Sequence, residues 1–550
     1  PITPSLHQEY MRITFRNQVK ALRQSLNQYD PLGMENQAQA LVQLTKLPLT
    51  TGKDLVEYYE ALLFMAAYPT DPTQLKRAEK ELARISRFLN SKTIRHPALH
   101  VNSGMPFTPM VTRFTHDQVR WLMAHPHCRI TLEKFEEEAL ELNDVLRLTL
   151  PSLERAETTA GLNNTDLMDV LKVPVKGRLE FLVRELSRLD QLPYIKDHLW
   201  DSMGVSIRIT PIDKTFSIAY NRLPGIVPYY QPSMLKRFDI RGLLDQPVGL
   251  PELLSQEGKQ TIVRVIKNAM AITDRETDPG TYMDEQSLMV YHLDRGVSVA
   301  IYGMIPNRQL PLESYVGYTA FKNGFAVSYG GAWIFGERAQ FGINVFETFR
   351  NGESAYIMAQ LLRLYRQVFE INYFEVEPYQ FGLDNPEGIA SGAFWFYYRF
   401  GFRPLDRELR QLAEKEAGKI AARKGYRTSS KTLIELTGSN IRLKLGQITP
   451  PKVADVAVRV TSMIQKKYQG YRMIAEAACR EQFIIRTGMA LPQDQEEDNV
   501  LTEVALWAAA MQIEDQDALL LMRDMIRAKT KDVYAYQTLL LRFFKIISRP

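Results

Sequence analysis

The sequence predicts an α+β protein in which a mixed, mostly antiparallel sheet with packed helices lies between an N-terminal and a C-terminal helical region. Three observations predict it. Apolar residues recur at three- and four-residue spacing over most of residues 6–199 and again beyond Pro451. Between these regions, short apolar runs separated by turn residues follow one another, which is typical of consecutive antiparallel strands. Helical segments in the same stretch provide elements that can cover the sheet.

Size and composition are those of a multidomain globular protein. The chain has 550 residues, of which 45% are hydrophobic and 24% are charged, enough for three or four domains of about 100–200 residues each. Four segments are expected: a helical region at 1–200, a proline-rich connector at 201–252, a sheet-containing domain at 253–435 and a helical region at 436–550.

Net charge bears on whether the protein binds nucleic acid, and cysteine content bears on its redox compartment and on metal binding. The net charge of +5 is small for this length, so nucleic acid is not an expected partner. Two cysteines in the whole chain argue for a reducing compartment and against a disulfide framework or a multi-cysteine metal site. We therefore expect no bound metal.

The expected cellular location follows from two sequence patterns, a membrane span and a signal peptide. No apolar run approaches the roughly 18 residues of a membrane span. The first ten residues do not combine a basic stretch with an apolar one, as a signal peptide does. The expectation is a cytoplasmic protein.

The first region is expected to be mostly helical, and apolar residues at helical spacing first occur at 41–47. Residues 55–68 carry a continuous helical period that ends before Pro69, and residues 73–88 are charged on one face and apolar on the other. Helical periodicity returns at 132–150 and at 177–199. The connector that follows is interrupted by prolines, yet it is too apolar for a free linker, so it is expected to pack on its neighbours.

The third segment begins with a helix at 258–273 and continues as strands. Apolar runs at 298–305, 313–321 and 325–335 are the first three, and Asn323-Gly324 provides the turn of a hairpin between the last two. A fourth strand is expected at 340–349.

After the fourth strand, helices and strands alternate. A helix at Ser354–Phe369 is followed by a strand from Tyr373, an aromatic helix at 393–400 and a short strand at 401–404. A charged helix at 406–424 comes next. The basic run at 423–431 that follows is interpreted as a solvated helix end, with contact to RNA or phosphate as the alternative. The C-terminal region carries apolar stripes typical of core-facing helices.

The connection from the fourth strand to the helix is the first functional candidate. A strand that enters a helix through a short glycine-containing turn directs free peptide nitrogens and the positive end of the helix dipole at one place. Residues 341–360 have this pattern, with Gly352 in the turn. The connection suits the diphosphate of a nucleotide-like cofactor such as coenzyme A, and it is also compatible with an ordinary strand-to-helix turn.

The second candidate is the aromatic helix. Its end, Tyr397-Tyr-Arg-Phe-Gly-Phe402, resembles the Tyr-x-x-x-Gly-Phe signature that closes the catalytic domain of the GNAT superfamily of acyl-coenzyme A N-acyltransferases. Together with the order of elements, the resemblance covers residues 253–405, and the chain looks like large bacterial proteins that carry a GNAT-like domain between helical regions. It implies a bulge that opens the fourth strand, coenzyme A in the cleft, and the pyrophosphate on amides of a Gln/Arg-x-x-Gly-x-Gly/Ala loop.

Site residues follow from the resemblance position by position. Gly352 matches the first glycine of the loop, whereas Phe349 stands in place of Gln/Arg and Ser354 in place of the last Gly/Ala. The resemblance implies that backbone of Asn344 and Val345 pairs with the pantetheine arm. The implied loop that binds the pyrophosphate consists of Phe349, Arg350, Asn351, Gly352, Glu353 and Ser354.

Two side chains are candidates for proton transfer. The resemblance implies that Tyr397 protonates the leaving thiolate, although the many aromatic residues around it also suit a core position. An amine must lose a proton before it attacks a thioester, and Glu347 lies two residues before the turn, on the strand face of Val345 and Phe349. For Glu353, stabilisation of a negative charge by the helix dipole is a sufficient explanation.

The function expected from these residues is transfer of an acyl group from a coenzyme A or carrier thioester to an amine. The helical flanks would shape the acceptor site, which suits a macromolecule as well as a small amine. Two alternatives stay open. The chain is also compatible with a catalytically silent GNAT-like scaffold that binds protein partners, or with a Fem-like transferase that uses aminoacyl-tRNA.

Overall fold

The computed structural model describes residues 4–91, 97–159, 161–350 and 352–548. Contacts divide the chain into two compact units. The first contains Pro1–Met234, Thr261–Thr281 and Lys322–Ala326, and the second contains Leu235–Gln260, Tyr282–Phe321 and Val327–Pro550. This grouping follows contacts in space, so the four segments expected along the sequence remain a prediction.

The first unit is mainly helical. Proline at the first helical position and an aspartate cap begin two of its helices, since Asp30 accepts from the amide of Gly33 and Asp71 from those of Thr73 and Gln74. Its helices are α1 (Pro4–Ser25), α2 (Pro31–Lys46), α3 (Lys53–Ala67), α4 (Pro72–Leu89), α5 (His116–Met123), α6 (Leu142–Thr149), α7 (Asn164–Val170), α8 (Arg178–Ser187) and α9 (Pro193–Ser202).

The first unit also contains a small antiparallel sheet. Its strands are β1 (Met110–Thr112), β2 (Cys128–Phe135) and β3 (Val205–Pro211), in the order β1-β3-β2. The helix predicted at 132–150 is therefore wrong over its first residues. Ile130 and Leu132 alternate with more exposed residues and pack against the core through one face of β2, and this two-residue period is the pattern of a strand.

The core of the first unit joins this sheet to the helices around it. Leu146, Leu182, Trp200 and Ile207 are all buried within one cluster. Three further helices lie between β3 and the first strand of the larger sheet in the chain. They are α10 (Ile240–Asp245), α11 (Gln256–Ile272) and α12 (Asp278–Thr281). Residues of α11 from Thr261 onward belong to the first unit.

A second, larger sheet lies mostly in the second unit. Within the described ranges it has eight strands in the order β10-β11-β9-β8-β7-β6-β5-β4. The pair β8–β9 is parallel, whereas β4–β5, β7–β8, β9–β11 and β10–β11 are antiparallel. The strands are β4 (Met289–His292), β5 (Val297–Tyr302), β6 (Ser314–Lys322), β7 (Phe325–Phe335), β8 (Arg338–Val345), β9 (Tyr373–Val376), β10 (Arg403–Pro404) and β11 (Ile441–Lys444).

The turn predicted within this sheet is confirmed. Asn323 and Gly324 join β6 to β7, and both have positive φ, as a two-residue hairpin turn requires. Although residues 436–550 are predicted to be helical, Ile441–Lys444 forms β11 between β9 and β10. The protein is thus α+β with a mostly antiparallel sheet and packed helices.

The remaining helices follow the sheet strands in the chain. They are α13 (Ser354–Phe369), α14 (Pro386–Ser391), α15 (Ala393–Arg399), α16 (Arg407–Ala422), α17 (Ser430–Leu436), α18 (Val453–Tyr468), α19 (Arg472–Thr487), α20 (Gln495–Met511), α21 (Gln516–Lys529) and α22 (Val533–Ile547). Helices α18–α22 share a buried core that includes Phe483, Trp507, Met522 and Phe543.

Candidate active site

The parallel pairing of β8 with β9 ends after three residue pairs, because β9 ends at Val376 while β8 continues to Val345. They pair from Arg338↔Tyr373 to Gln340↔Glu375, whereas β8 continues to pair with β7 as far as Ser328↔Val345. In a ladder, successive residues direct their backbone groups to alternate sides. Backbone groups of residues 341–345 that point toward β9 therefore have no strand partner among the residues that the structure describes.

We call the edge of β8 beyond Gln340 the opening; it arises where β9 ends at Val376, and β8 has no bulge. The register of β8 with β7 runs without a shift over its whole length. The bulge implied by the GNAT resemblance is thus not present in this pair.

Two tyrosines and a glutamine lie near Gly342 of β8. A methyl group on Gly342 would lie 3.2 Å from Nε2 of Gln380. The Tyr397 hydroxyl donates to Oε1 of the same glutamine over 3.5 Å, and the Tyr318 hydroxyl donates to the Gly342 carbonyl over 3.1 Å. We call Tyr318, Gln380 and Tyr397 the tyrosine cluster.

Burial controls the protonation of this cluster. Tyr397 is 2% exposed, and burial raises its pKa above the ordinary value of about 10. Burial likewise raises the pKa of Tyr318. Both phenols therefore carry their protons at neutral pH. A protonated phenol is the form that a thiolate leaving group needs, provided that the resulting phenolate is stabilised.

Two peptide nitrogens of the turn before α13 already donate hydrogen bonds within the turn. The amide of Arg350 donates to the Glu347 carbonyl at 3.3 Å, and that of Gly352 donates to the Phe349 carbonyl at 2.9 Å. The Phe349 side chain is buried. Asn351, which the sequence places in the same loop, lies outside the described residues.

A buried carboxylate stands where α13 begins. Glu353 is 3% exposed, its Oε1 lies 2.6 Å from Nη2 of Arg295, and it also accepts from the amide of Leu235 at 2.8 Å. The positive end of the α13 dipole is thus already faced by a negative charge. A diphosphate at this position would have to share the site with Glu353.

The other predicted residues lie on the exposed side of the turn. Asn344 and Glu347 are exposed, and the Asn344 carbonyl accepts from the Ser328 hydroxyl at 2.7 Å. Arg350 forms an exposed ion pair of 3.1 Å with Glu387. The Ser354 hydroxyl donates to the Arg350 carbonyl at 3.2 Å.

The structure therefore brings some of the predicted residues together and keeps others apart. Tyr397 bonds to Gln380, which lies beside Gly342 of β8, and the described contacts do not join Tyr397 to Glu347. Sequence reasoning missed Tyr318, Gln380 and Arg295. Gln380 lies in a short turn with no motif, and Arg295 is separated from Glu353 by 58 positions, so neither had a local signal.

A cluster in the first unit has the donor atoms of a metal site. One possible ligand atom from each of His116, Asp117 and Asp190 lies within 4.8 Å of the other two. However, Lys196 lies 3.0 Å from Asp117 and 2.7 Å from Asp190, and Arg120 pairs with both at 2.8 Å. These two cations already balance the two carboxylates, which is the arrangement of a structural ion-pair network.

An open cavity is found at a different part of the second unit. It has a volume of about 820 Å³ and is lined by Glu337 in the β7–β8 turn together with side chains of the C-terminal helices such as Val456, Trp507 and Phe544. Glu337 precedes the first residue of β8, whereas the opening begins beyond Gln340. The cavity is therefore distinct from the opening.

Comparisons of the chain with models of protein families, with curated proteins and with solved structures found no match. Within the ranges that the structure describes, the helices are too short or too polar for any of them to cross a membrane.

Proposed function

We propose that the protein is an acyltransferase of the GNAT type, which moves an acyl group from a coenzyme A or carrier thioester to an amine. The observation that carries the proposal is that β8 continues beyond the end of β9, with Tyr397 bonded to Gln380, which lies beside Gly342 in that part of β8. This combination agrees with the Tyr-x-x-x-Gly-Phe resemblance at Tyr397–Phe402, which rests on sequence alone. The sequence pattern and the strand geometry thus both favour an active site in this region of the chain.

The backbone of β8 would align the thioester. Val345 lies in the part of β8 beyond the end of β9, and its backbone groups on that side would be available to the amides of a pantetheine arm. Asn344 directs its backbone toward β7, where its carbonyl accepts from Ser328, so the resemblance's role for Asn344 would require a rearrangement. Fixing the thioester against an amine would supply much of the rate through orientation. Gln380 would have to move, because it lies against Gly342.

The chemistry requires two proton transfers. The amine nitrogen forms a bond to the thioester carbon, the carbon–sulfur bond breaks, and the sulfur leaves as a thiolate. Tyr397 would donate a proton to that thiolate. Glu347 would accept the proton that the amine loses, directly or through a water molecule.

The charge of the diphosphate would be met by a side chain rather than by the turn amides. The amides of Arg350 and Gly352 already have acceptors. The Arg350 guanidinium is 45% exposed and its partner Glu387 is 75% exposed, so Arg350 can exchange this weak pair for a phosphate. Phe349, Glu353 and Ser354 would then shape the loop.

Calorimetric titration and thermal unfolding with acetyl- and palmitoyl-coenzyme A test the proposal. A ligand at a hundred times its Kd stabilises the folded state by about 2.7 kcal/mol, so we expect a clear rise in Tm. Gly342→Val would fill the opening against Gln380 and abolish the heat. Gly418→Ala, on an exposed helix face with free space around it, is the matched control and should bind as the parent does.

Tyr397→Phe separates binding from chemistry. It should retain the binding heat and lose about 10²-fold or more in thiol release from acetyl-coenzyme A with a panel of small amines as acceptors. Absence of heat and of any Tm shift with both thioesters would contradict the proposal.

A catalytically silent scaffold is the second candidate, and the buried Arg295–Glu353 pair favours it. This pair places a carboxylate at the start of α13, where an active enzyme would receive a diphosphate. The same titration distinguishes the two functions, because a scaffold would give no heat with either thioester.

A further inference from the structure

The positive charge of this protein is concentrated in one short segment. Residues 399–431 contain ten basic and four acidic side chains, a local net charge of +6, compared with +5 for the whole chain. The rest of the chain is therefore close to neutral. A net charge of this size is small for a chain of 550 residues but large for a segment of 33 residues.

The densest part of this segment is exposed and lacks acidic partners. We call residues 423–431 the basic loop. Its four cations, Arg423, Lys424, Arg427 and Lys431, are all exposed, and the loop contains no acidic residue. None of the four has an ion pair with any residue in the described part of the chain. Glu408, Glu414 and Glu435 are the exposed carboxylates on the adjoining helices α16 and α17.

Two hydrogen bonds fix the basic loop to the helices around it. The Trp395 indole donates to the Thr428 hydroxyl at 3.1 Å, which ties the loop to α15. The Tyr426 hydroxyl donates to the buried carboxylate of Glu416 at 2.8 Å, which ties it to α16. The cations are thus held on an anchored segment, so less conformational entropy is lost when they bind a ligand.

Aromatic side chains adjoin the cations. Trp395, Phe396 and Tyr398 on α15 are partly exposed. Arg399 is exposed one helical turn after Trp395 and hence on the same face, where it adds a fifth cation. Cations that follow a phosphate backbone beside rings on which bases can stack are the combination that binds single-stranded polynucleotides.

We propose that the basic loop, together with the exposed face of α15, binds a single-stranded polynucleotide such as RNA. The cations contact phosphates and the aromatic rings contact bases. The rings favour a polynucleotide over an anionic lipid surface because every base offers a face for stacking. This inference is independent of the proposed acyl transfer, which uses β8, β9 and Tyr397.

Fluorescence anisotropy with a labelled 20-nucleotide oligouridylate at 50, 100 and 200 mM salt tests the inference on the full chain. Contacts with four or five phosphates of a single strand give a slope of log K against log salt of about −3. The variant R423Q/K424Q/R427Q/K431Q is expected to lose at least tenfold in affinity at 100 mM salt and most of that slope. It should still bind acyl-coenzyme A if the proposed function is right.

The matched control removes the same charge elsewhere. The variant K46Q/K466Q/K467Q/K531Q neutralises four exposed lysines outside the segment and should bind RNA within about twofold of the parent. The charge-preserving variant R423K/R427K should bind within about threefold. Similar losses in both quadruple variants, or no binding by the parent at 50 mM salt, would overturn the inference.

Two further probes separate the polynucleotide from other anions. Inorganic polyphosphate of matched charge should compete more weakly than oligouridylate, because it offers no bases. Vesicles with 30% phosphatidylserine should not bind the parent protein more tightly than RNA does. Equal competition by polyphosphate, or a preference for the vesicles, would contradict polynucleotide binding.

Discussion

Lys529 illustrates how one buried charge links stability to pH. It is 1% exposed, and its Nζ donates to the Glu313 carbonyl at 2.7 Å and to the Ser314 hydroxyl at 2.8 Å. Burial lowers its pKa to about 7, although the Glu313 carboxylate partly opposes this. In the unfolded chain a lysine has a pKa of about 10.4.

We predict that Lys529 makes the protein more stable as pH rises from about 7 to 10. In this window the unfolded chain binds a proton that the folded protein does not, so the free energy of unfolding gains up to about 1.4 kcal/mol per pH unit from this residue. Lys529→Met should remove the gain. Urea unfolding of both proteins at pH 7, 8 and 9 measures it, and parallel profiles would contradict the prediction.

The Arg295–Glu353 pair is predicted to matter for folding. Glu353→Gln would leave the guanidinium of Arg295, whose side chain is 17% exposed, without its carboxylate. We expect a loss of about 3 kcal/mol in the free energy of unfolding, because a buried charge without its partner is costly. Denaturant titration is the measurement.

An exposed pair on the same turn is the control. Arg350→Gln removes the ion pair with Glu387, in which both side chains are well exposed, and should cost less than about 1 kcal/mol. Equal effects of the two substitutions would show that the burial of Glu353 is not what makes it important.

At the scale of the element, β7 contains two glycines where neighbours approach closely. A methyl group on Gly330 would lie 2.4 Å from the Gly342 carbonyl and 2.7 Å from the Tyr318 hydroxyl, and one on Gly331 would lie 2.6 Å from the Tyr315 ring. Gly330 and Gly331 thus leave room for two tyrosine side chains from β6.

We predict that Gly330→Ala destabilises the protein by about 2 kcal/mol or more, because Tyr318 and β8 must move to accept the methyl group. Gly418→Ala is the control, since it lies in the exposed helix α16 with nothing close to it. It should stabilise by about 0.5–1 kcal/mol. Thermal unfolding of both variants tests the prediction, which fails if Gly330→Ala leaves Tm unchanged.

Comparison of the predicted and observed helices and strands shows which sequence signals are sufficient to predict an element. The β6–β7 hairpin and helices α13 and α15 were predictable because turn residues and apolar spacing are local. The start of β2 was not, since Leu132 and Phe135 also fit the three-residue spacing of a helix. Pairing with β3 decides between the two structures there, and β3 lies some 70 residues further along the chain.

At the scale of the whole molecule, each of the two compact units contains one cysteine, so the reactivity of each thiol can follow the unfolding of its own unit. Cys128 belongs to the first unit and Cys479 to the second. Both are free and buried. Burial raises the pKa of Cys128 to about 12 and also raises that of Cys479, so the reactive thiolate is scarce in the folded protein.

We predict that neither thiol reacts with iodoacetamide in native buffer and that both react in denaturant. Peptide mass spectrometry after labelling at increasing urea concentration would identify the midpoint at which each unit exposes its cysteine. Cys128→Ser and Cys479→Ser serve as assignment controls. Labelling of either cysteine in native buffer at the rate of a free thiol would contradict the burial described here.

Charge at this scale explains why nucleic acid was not expected from composition. Net charge averages the whole chain, whereas a polynucleotide responds to the local field. Folding leaves the basic loop exposed and fixes it beside α15, while many other charges in the chain are paired. The expectation from composition and the proposal from structure therefore concern different length scales.

The sequence by itself determined the local structure: the hairpin at Asn323-Gly324, the helix that begins at Ser354, and the aromatic helix with Tyr397 near its end. These depend on residues within a few positions of each other. Only the tertiary structure decided that β8 pairs with β9 no further than Gln340, that Gln380 meets Tyr397 and that Arg295 meets Glu353. Such contacts join residues far apart in the chain, and no periodicity or turn chemistry in a single sequence encodes which distant partners will meet.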